Sequence, residues 1–265
     1  MNEEASSTDE RQTPMPITNA INPKVSVIIP VSNESKTIAR VICEARHVHP
    51  ETEVIVVING SIDGSNRIAE EMGAKVIFNR DALGNDVGRA IGASAAKGSI
   101  LLFMDGDIVI PAEQLSSFVT SVENGADVAL NHYHGRIERN IPHSVAVSKR
   151  VLNTLLSRKD LGAASMTVIP HCLSRKALSV IGVENLAIPP LAHVIAVSEG
   201  LRVELAERVD VGALNRKHKK RKSRKVRELI IGDHLEAIQF LLEKSGDHRA
   251  YFTDVCRKRE RVRKL

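Results

Sequence analysis

Three runs of aliphatic residues constrain this chain most: residues 24–30 (KVSVIIP), 53–59 (EVIVVIN) and 99–104 (SILLFM). They are rich in Val, Ile and Leu over nearly their whole length. Strands of that kind are buried on both faces, as in a parallel sheet covered by helices on either side. Helical patterns fill the intervals. Ile38, Val41, Ile42 and Ala45 recur at helical spacing within 35–46. Residues 65–72 give a second helix, with Gly73 suited to its end. Residues 87–96 give a small-residue helix closed by Gly98, and 75–79 add a further strand. Strand and helix thus alternate four times through short links. The fold class is α/β: a Rossmann-like, mostly parallel sheet flanked by helices, followed by a basic C-terminal helical tail. Ligands of such sheets bind off the carboxyl ends of the strands. Residues 30–34, 59–64 and 105–107 stand at those ends.

The second half is less regular. It predicts helices over 112–123, 145–156 and 174–181, and strands over 127–134 and 166–170. A half-exposed edge strand is expected over 201–209. Residues 229–244 form an amphipathic helix, with Leu229, Ile230, His234, Ile238, Leu241 and Leu242 near one face. The organisation is a disordered polar leader (1–22), one globular domain (23–213), and a basic linker with a C-terminal helix (214–265).

Charge and cysteine usage narrow the class. From Arg216 onward there are seventeen Lys or Arg against seven Asp or Glu, so the net charge of +5 belongs to the tail. Three scattered cysteines (Cys43, Cys172, Cys256), with no CxxC pair, argue for a reducing compartment. No signal peptide is visible, and no apolar run reaches the roughly 18–20 residues that span a bilayer. The expected location is cytoplasmic, peripheral at the inner face of the membrane where the run from Arg216 to Arg227 (RKHKKRKSRKVR) meets anionic lipid. That run lacks interleaved aromatics, which disfavours nucleic acid as a partner.

Asp105-Gly106-Asp107 follows a buried strand directly. Its carboxylates, one residue apart, can face one point beyond the sheet edge and hold a hard cation, Mg²⁺ or Mn²⁺, that shares substrate phosphates. Arg89, near a helix start, can grip a diphosphate through its planar fork. Asp63 or Ser65 caps the helix that follows residues 59–64. His132 and His134 lie on one face of the expected 127–134 strand, a placement that suits an acceptor as well as a half-exposed edge.

KVSVIIPVSNES, EVIVVINGSIDGS and GNDVGRAIGASAAKGSILLFMDGD, in that order and spacing, resemble the first half of the family 2 glycosyltransferases, inverting enzymes of the GT-A fold. The resemblance is strong over 24–111 and fades toward 209. It implies a nucleotide-diphosphate sugar as donor and an acceptor hydroxyl or phosphate of unknown identity. It implies that Pro30, Asn33 and Glu34 line the nucleoside pocket, and that Asn59 and Asp63 lie beside base and ribose. Arg89 falls near the diphosphate, Asp105 at the ribose and metal, and Asp107 at the metal and the chemistry. Departures are visible. Ile58 stands where an acidic residue is usual, and Ser32 where an aromatic is usual. The second-half acidic pair that supplies the base is missing from residues 188–197 (IPPLAHVIAV), where His193 is the only titratable group; Glu184 and Glu199 flank it. His193 is therefore the candidate base. His218 is a loose match to the family's late metal-binding histidine.

Two rival functions follow. One is a nucleotide-sugar-binding protein of the same fold with impaired catalysis, motivated by the missing carboxylate. The other is a sugar-phosphate nucleotidyltransferase, which would need a Gly-rich basic loop where this chain has PVSNES.

Overall fold

The computed structural model describes residues 15–132, 143–214, 223–250 and 252. Seven strands form one sheet: β1 (Val25–Val31), β2 (Thr52–Asn59), β3 (Lys75–Asn79), β4 (Ile100–Phe103), β5 (Val128–Leu130), β6 (His171–Ser174) and β7 (Val203–Leu205), in the order β3-β2-β1-β4-β6-β5-β7. The pairs β1·β2, β2·β3, β1·β4 and β5·β7 are parallel, while β6 runs antiparallel to β4 and β5. The helices are α1 (Ile38–Arg46), α2 (Ser65–Glu71), α3 (Asn85–Ala95), α4 (Ala112–Glu123), α5 (Ser144–Leu155), α6 (Arg175–Ile181), α7 (Pro189–Ser198), α8 (Val211–Leu214) and α9 (Ser223–Ser245). This is the mostly parallel, helix-flanked sheet that the aliphatic runs predict.

Each residue of β1 and β2 is buried, because both sheet faces carry helices. Val27, Ile29 and Val31 pack with α1 and α4, whereas Ile28 packs with α3, α6 and α7. From β1 the chain winds outward through β2 and β3, then returns to β4 on the other side of β1. The carboxyl ends of β1 and β4 therefore diverge at a switch point, where an α/β sheet opens a crevice for a ligand. Asn131, just after β5, is fully buried. Its amide donates to the carbonyls of Ile169 (2.9 Å) and Val209 (3.1 Å) and accepts from Val209 N–H (3.0 Å), fastening β5 to the segments beside it.

Several expectations shift. The strand expected over 166–170 lies instead at His171–Ser174, because Pro170 has no N–H to give a ladder and residues 166–170 turn. The edge strand expected over 201–209 shrinks to Val203–Leu205. The leader is bonded from Ile17: Ile17 N–H donates to Met72 O (2.8 Å) and Ala20 N–H to Thr52 O (3.0 Å), while the Asn19 amide brackets the backbone of Val54. Residues 188–197 are helical almost throughout, and seven residues of α7 are buried. A helix apolar on every side is an interior helix. Val194 of α7 packs with Leu152 of α5 and with Ala237 and Leu241 of α9, so α9 belongs to the packed body. His134 and most of the basic run from Arg216 to Arg227, His218 included, lie outside the described residues. No helix among the described residues is long and apolar enough to cross a membrane.

The small residues of α3 let it lie directly on β1 and β2. A Cβ at Gly92 would stand 2.4 Å from Ile28 Cγ2 and 3.2 Å from Val57 Cγ2. Gly92→Val should therefore cost about 1–3 kcal/mol of stability through overpacking, read as a lowered urea midpoint. An unchanged midpoint would show that α3 can lift off the sheet freely.

Candidate functional site

The loops after β1 and β2 are tied to each other by side chains. Asn33 sits in the left-handed region at φ +62°, a conformation Asn tolerates better than most residues. Its Oδ1 accepts from Ile62 N–H (2.9 Å), and its own N–H donates to Ser61 Oγ (3.0 Å). Asp63 Oδ2 accepts from Ser35 N–H (2.9 Å), and Oδ1 accepts from Ser65 N–H (3.1 Å) and Ser65 Oγ (2.5 Å). Ser65 Oγ in turn accepts from Glu34 N–H (2.9 Å). Burial pushes the Asp63 carboxyl up, but the hydrogen bonds from Ser65 and Ser35 outweigh it and bring it down to about 2. Asn59 is buried and accepts from Leu83 N–H, drawing in the segment before α3. Gly60 allows that approach, since a Cβ there would lie 2.9 Å from Ala82 N.

Asp105 and Asp107 follow β4 at the switch point, and both are half-buried. Gly106 passes so close to β1 that a Cβ would meet Val31 Cγ2 at 2.9 Å. Thr37 Oγ1 donates to Gly106 O (2.7 Å), fixing the turn to the start of α1. Arg89 reaches the same point from α3. It is buried, with one guanidinium nitrogen donating to Asp105 Oδ1 (2.6 Å) and another paired to Asp86. Burial works against its charge, and Asp105 and Asp86 outweigh that effect, so its pKa rises. Burial also pushes the Asp86 carboxyl up; Arg89 pulls it down and Asp105 pushes it up, with a net rise. His171 of β6 stacks on Phe103 with ring centroids 5.0 Å apart. Burial and then the Arg89 cation push its pKa down to about 3.

The structure thus brings Arg89 and Asp105 into contact, with Asp107 two residues on. It ties Asn33, Glu34 and Asp63 into one loop cluster. Pro30 lies beneath α3, where a Cβ on Gly88 would stand 3.0 Å from Pro30 Cβ. His193 is not part of this cluster. It is wholly buried in α7, and Nε2–H donates to Asn153 Oδ1 (2.8 Å), an oxygen identified as acceptor because Asn153 Nδ2 donates to Gly162 O and Ala164 O. Burial, then Arg158, His234 and Lys149, push His193 down to about 3. With no exposed surface it has nothing to offer an acceptor, so the expectation of a base there gives way to a packing role. Asp86 and His171 went unnoticed in the sequence. The i,i+3 spacing of Asp86 and Arg89 was the available signal for the first; nothing local marks the second.

The profile described as "Glycosyl transferase family 2" matches residues 26–180, more than half of the chain. The chain belongs to glycosyl transferase family 2. Among relatives in the family, it is 32% identical over 116 residues to the undecaprenyl-phosphate 4-deoxy-4-formamido-L-arabinose transferase of Proteus mirabilis, covering 40% of this chain and 35% of that one. It is 28% identical over 139 residues to the polyprenol monophosphomannose synthase of Mycolicibacterium smegmatis, covering 48% and 52%. The matches span about a third to a half of these relatives' own length. Glucosyl-3-phosphoglycerate synthase from Mycobacterium tuberculosis, crystallised with UDP, superposes with a TM-score of 0.63 at 20% identity, covering 82% of this chain and 80% of that one. The same enzyme with Mn²⁺, UDP and phosphoglyceric acid gives a TM-score of 0.61 at 19% identity, covering 88% and 80%. These likenesses establish the GT-A fold for this family member.

The buried histidines set a pH dependence. His171 and His193 sit near 3 when folded, against about 6.5 when unfolded. Between those values the unfolded chain binds the extra protons. Stability from this source is therefore complete above the unfolded value and falls as pH drops, by about 1.4 kcal/mol per pH unit for each histidine. Urea unfolding of His193→Gln at several pH values from 7.5 to 4.5 should show a slope shallower than wild type by one proton. Equal slopes would mean that His193 is reached by solvent.

Proposed function

We propose that the protein transfers a glycosyl group, with inversion, from a nucleotide-diphosphate sugar to an acceptor hydroxyl or phosphate. The observation that carries this reading is the pairing of buried Arg89 with Asp105 at the switch point. It holds the first carboxylate of Asp105-Gly106-Asp107 at the mouth of the crevice. The donor set fits a hard divalent cation. Among the described residues no group of three or more His, Cys, Asp or Glu side chains is placed to hold a metal. Mg²⁺ commonly binds through one or two carboxylates and completes its shell with substrate phosphates and water. Asp105 and Asp107 would hold Mg²⁺ or Mn²⁺ in that manner, and the ion supplies Lewis-acid stabilisation of charge on the leaving diphosphate.

The chain's own residues have separable tasks. The tied loops after β1 and β2, with Asn33, Glu34, Asn59 and Asp63, shape the nucleoside end. Pro30, under α3, sets the floor. Arg89 orients Asp105 and places positive charge beside the diphosphate. The acceptor oxygen then displaces the diphosphate at the anomeric carbon in one step. That a structural neighbour was crystallised with UDP and Mn²⁺ supports a nucleotide diphosphate and a divalent cation as the ligands of this site. The names of the curated relatives point to a polyprenyl phosphate as one acceptor class. The run from Arg216 to Arg227 would then hold the protein against anionic lipid on the cytoplasmic face. The burial of His193 favours a second reading, a donor-binding protein without turnover; it predicts nucleotide binding with neither transfer nor donor hydrolysis.

The test is a thermal-shift panel of UDP, GDP, dTDP, CDP and ADP, each with and without Mn²⁺. A ligand at 100 times its Kd stabilises by about 2.7 kcal/mol. One diphosphate should stabilise the protein in a Mn²⁺-dependent way. Asp107→Ala should remove that dependence and lower transfer by about 100-fold or more, a rise of about 2.7 kcal/mol in the barrier. Unchanged Mn²⁺ dependence in the variant would remove Asp107 from the site.

A further inference from the structure

Two of the guanidinium nitrogens of Arg89 have partners, Asp86 and Asp105. The third does not: Nε–H is buried and finds no acceptor among the described residues. A buried donor left unmet is costly, and native structures seldom keep one without a reason. Arg89 borders a cavity. Together with Phe103, Met166, His171, Leu186 and Pro189 it lines a space of about 10 Å³, at the lower limit for one water molecule. Of these side chains, only those of Arg89 and His171 carry nitrogen or oxygen. The sheet register brings His171 there. It pairs with Phe103, where β6 runs antiparallel to β4 and two residues before Asp105, and its ring stacks on the Phe103 ring. Its Nδ1 lies 3.0 Å from Val168 O. A carbonyl oxygen only accepts, so Nδ1 carries the proton and Nε2 of the neutral ring is a lone pair. Burial and the Arg89 cation keep that ring neutral. The cavity wall thus holds Arg89, with its unmet N–H, and His171, whose one remaining polar atom is an acceptor.

We propose that His171 is a positioning residue for Arg89: one water in the cavity accepts the Arg89 Nε–H and donates to His171 Nε2. The functional part of this rests on the glycosyl-transfer reading above, in which Arg89 orients Asp105 and stands beside the diphosphate. A water molecule accepts and donates at once, so it can join two groups that both line its cavity. All three nitrogens of the planar fork are then held, by Asp86, by Asp105 and by the water. A fork held only at its two outer nitrogens can tilt about the line joining them. The third tie removes that freedom. Arginine has five N–H donors; with two given to the carboxylates and one to the water, two are left for the diphosphate in a set direction. Donors aimed in advance are what electrostatic stabilisation of a leaving diphosphate requires. His171 acts on the site through Arg89 and has no contact with the reacting atoms in this reading.

Two variants of the full chain separate this role from packing. His171→Gln carries an amide oxygen as far out as imidazole Nε2, so it can still accept from the water. His171→Asn carries its amide only as far as Nδ1, so it can serve Val168 O but offers the water nothing. Both lose the ring that stacks on Phe103, and both should lower the urea midpoint by a similar amount. Side-chain ¹⁵N NMR without ligand reads the pair directly. Wild-type His171 should be the Nδ1–H tautomer. The Arg89 Nε–H, assigned through its own side-chain carbons, should exchange about 10-fold or more slowly in wild type and the Gln variant than in the Asn variant. The second reading is affinity for UDP, GDP, dTDP, CDP and ADP with Mn²⁺. For whichever binds wild type, Kd should rise about 10-fold in the Asn variant and stay within about threefold in the Gln variant. An Nε2–H tautomer would overturn the proposal. So would equal exchange of Arg89 Nε–H, or equal nucleotide affinity, in the two variants. If neither variant folds, wild type decides: an Arg89 Nε–H that exchanges as fast as a solvent-exposed arginine overturns the tie. If wild type binds no nucleotide diphosphate, the glycosyl-transfer reading falls, while the tautomer and the exchange rates still judge His171.

Discussion

A guanidinium buried between two carboxylates holds the centre of this molecule. Arg89 is 7% exposed, and a charge so placed is costly unless it is paired. Its partners come from different parts of the chain: Asp86 one helical turn earlier, and Asp105 beyond the end of β4. Such a pair adds little net stability against an apolar replacement, but breaking it leaves an uncompensated buried charge. Its value here is positional. Arg89 can satisfy both carboxylates only if α3 lies flat on β1 and β2, which in turn requires glycine where the helix meets the sheet. The small-residue helix, the buried arginine and the fixed Asp105 are one arrangement seen at three scales.

The remaining frame follows from the winding of the sheet. Because β4 returns beside β1, the ends of β1, β2 and β4 carry three loops to one rim. Thr37 joins the first of these to the third through Gly106 O, and Asp63 joins the second to the first through Ser35 N–H. The rim is cross-braced by side chains that the fold alone would not require.

Much of this was legible in the sequence because both faces of the central strands are buried. Lys75–Asn79 and Ala112–Glu123 match residue for residue, and β1 and β2 agree to within one residue at either end. Periodicity loses its force where a segment is apolar all round. Residues 188–197 could be read as a site loop or an interior helix, and only the presence of α5, α6 and α9 around them decides. The same limit applies to side chains. Asn33 and Asp63 stood out as polar residues near a ligand, yet Asn33 Oδ1 and Asp63 Oδ2 are engaged with a neighbouring loop more than twenty-five residues away in the chain.

The ties between the β1 and β2 loops bear on the thermodynamics of ligand entry. A loop that must be ordered by its ligand spends part of the interaction energy on its own conformational entropy. Here Asn33, Ser61, Asp63 and Ser65 already hold the backbone of both loops. In the glycosyl-transfer reading proposed above, a nucleoside entering between them would meet a wall that is set in advance. Its affinity would then be governed by the shape and polarity of that wall, with little of the interaction energy spent on ordering the protein.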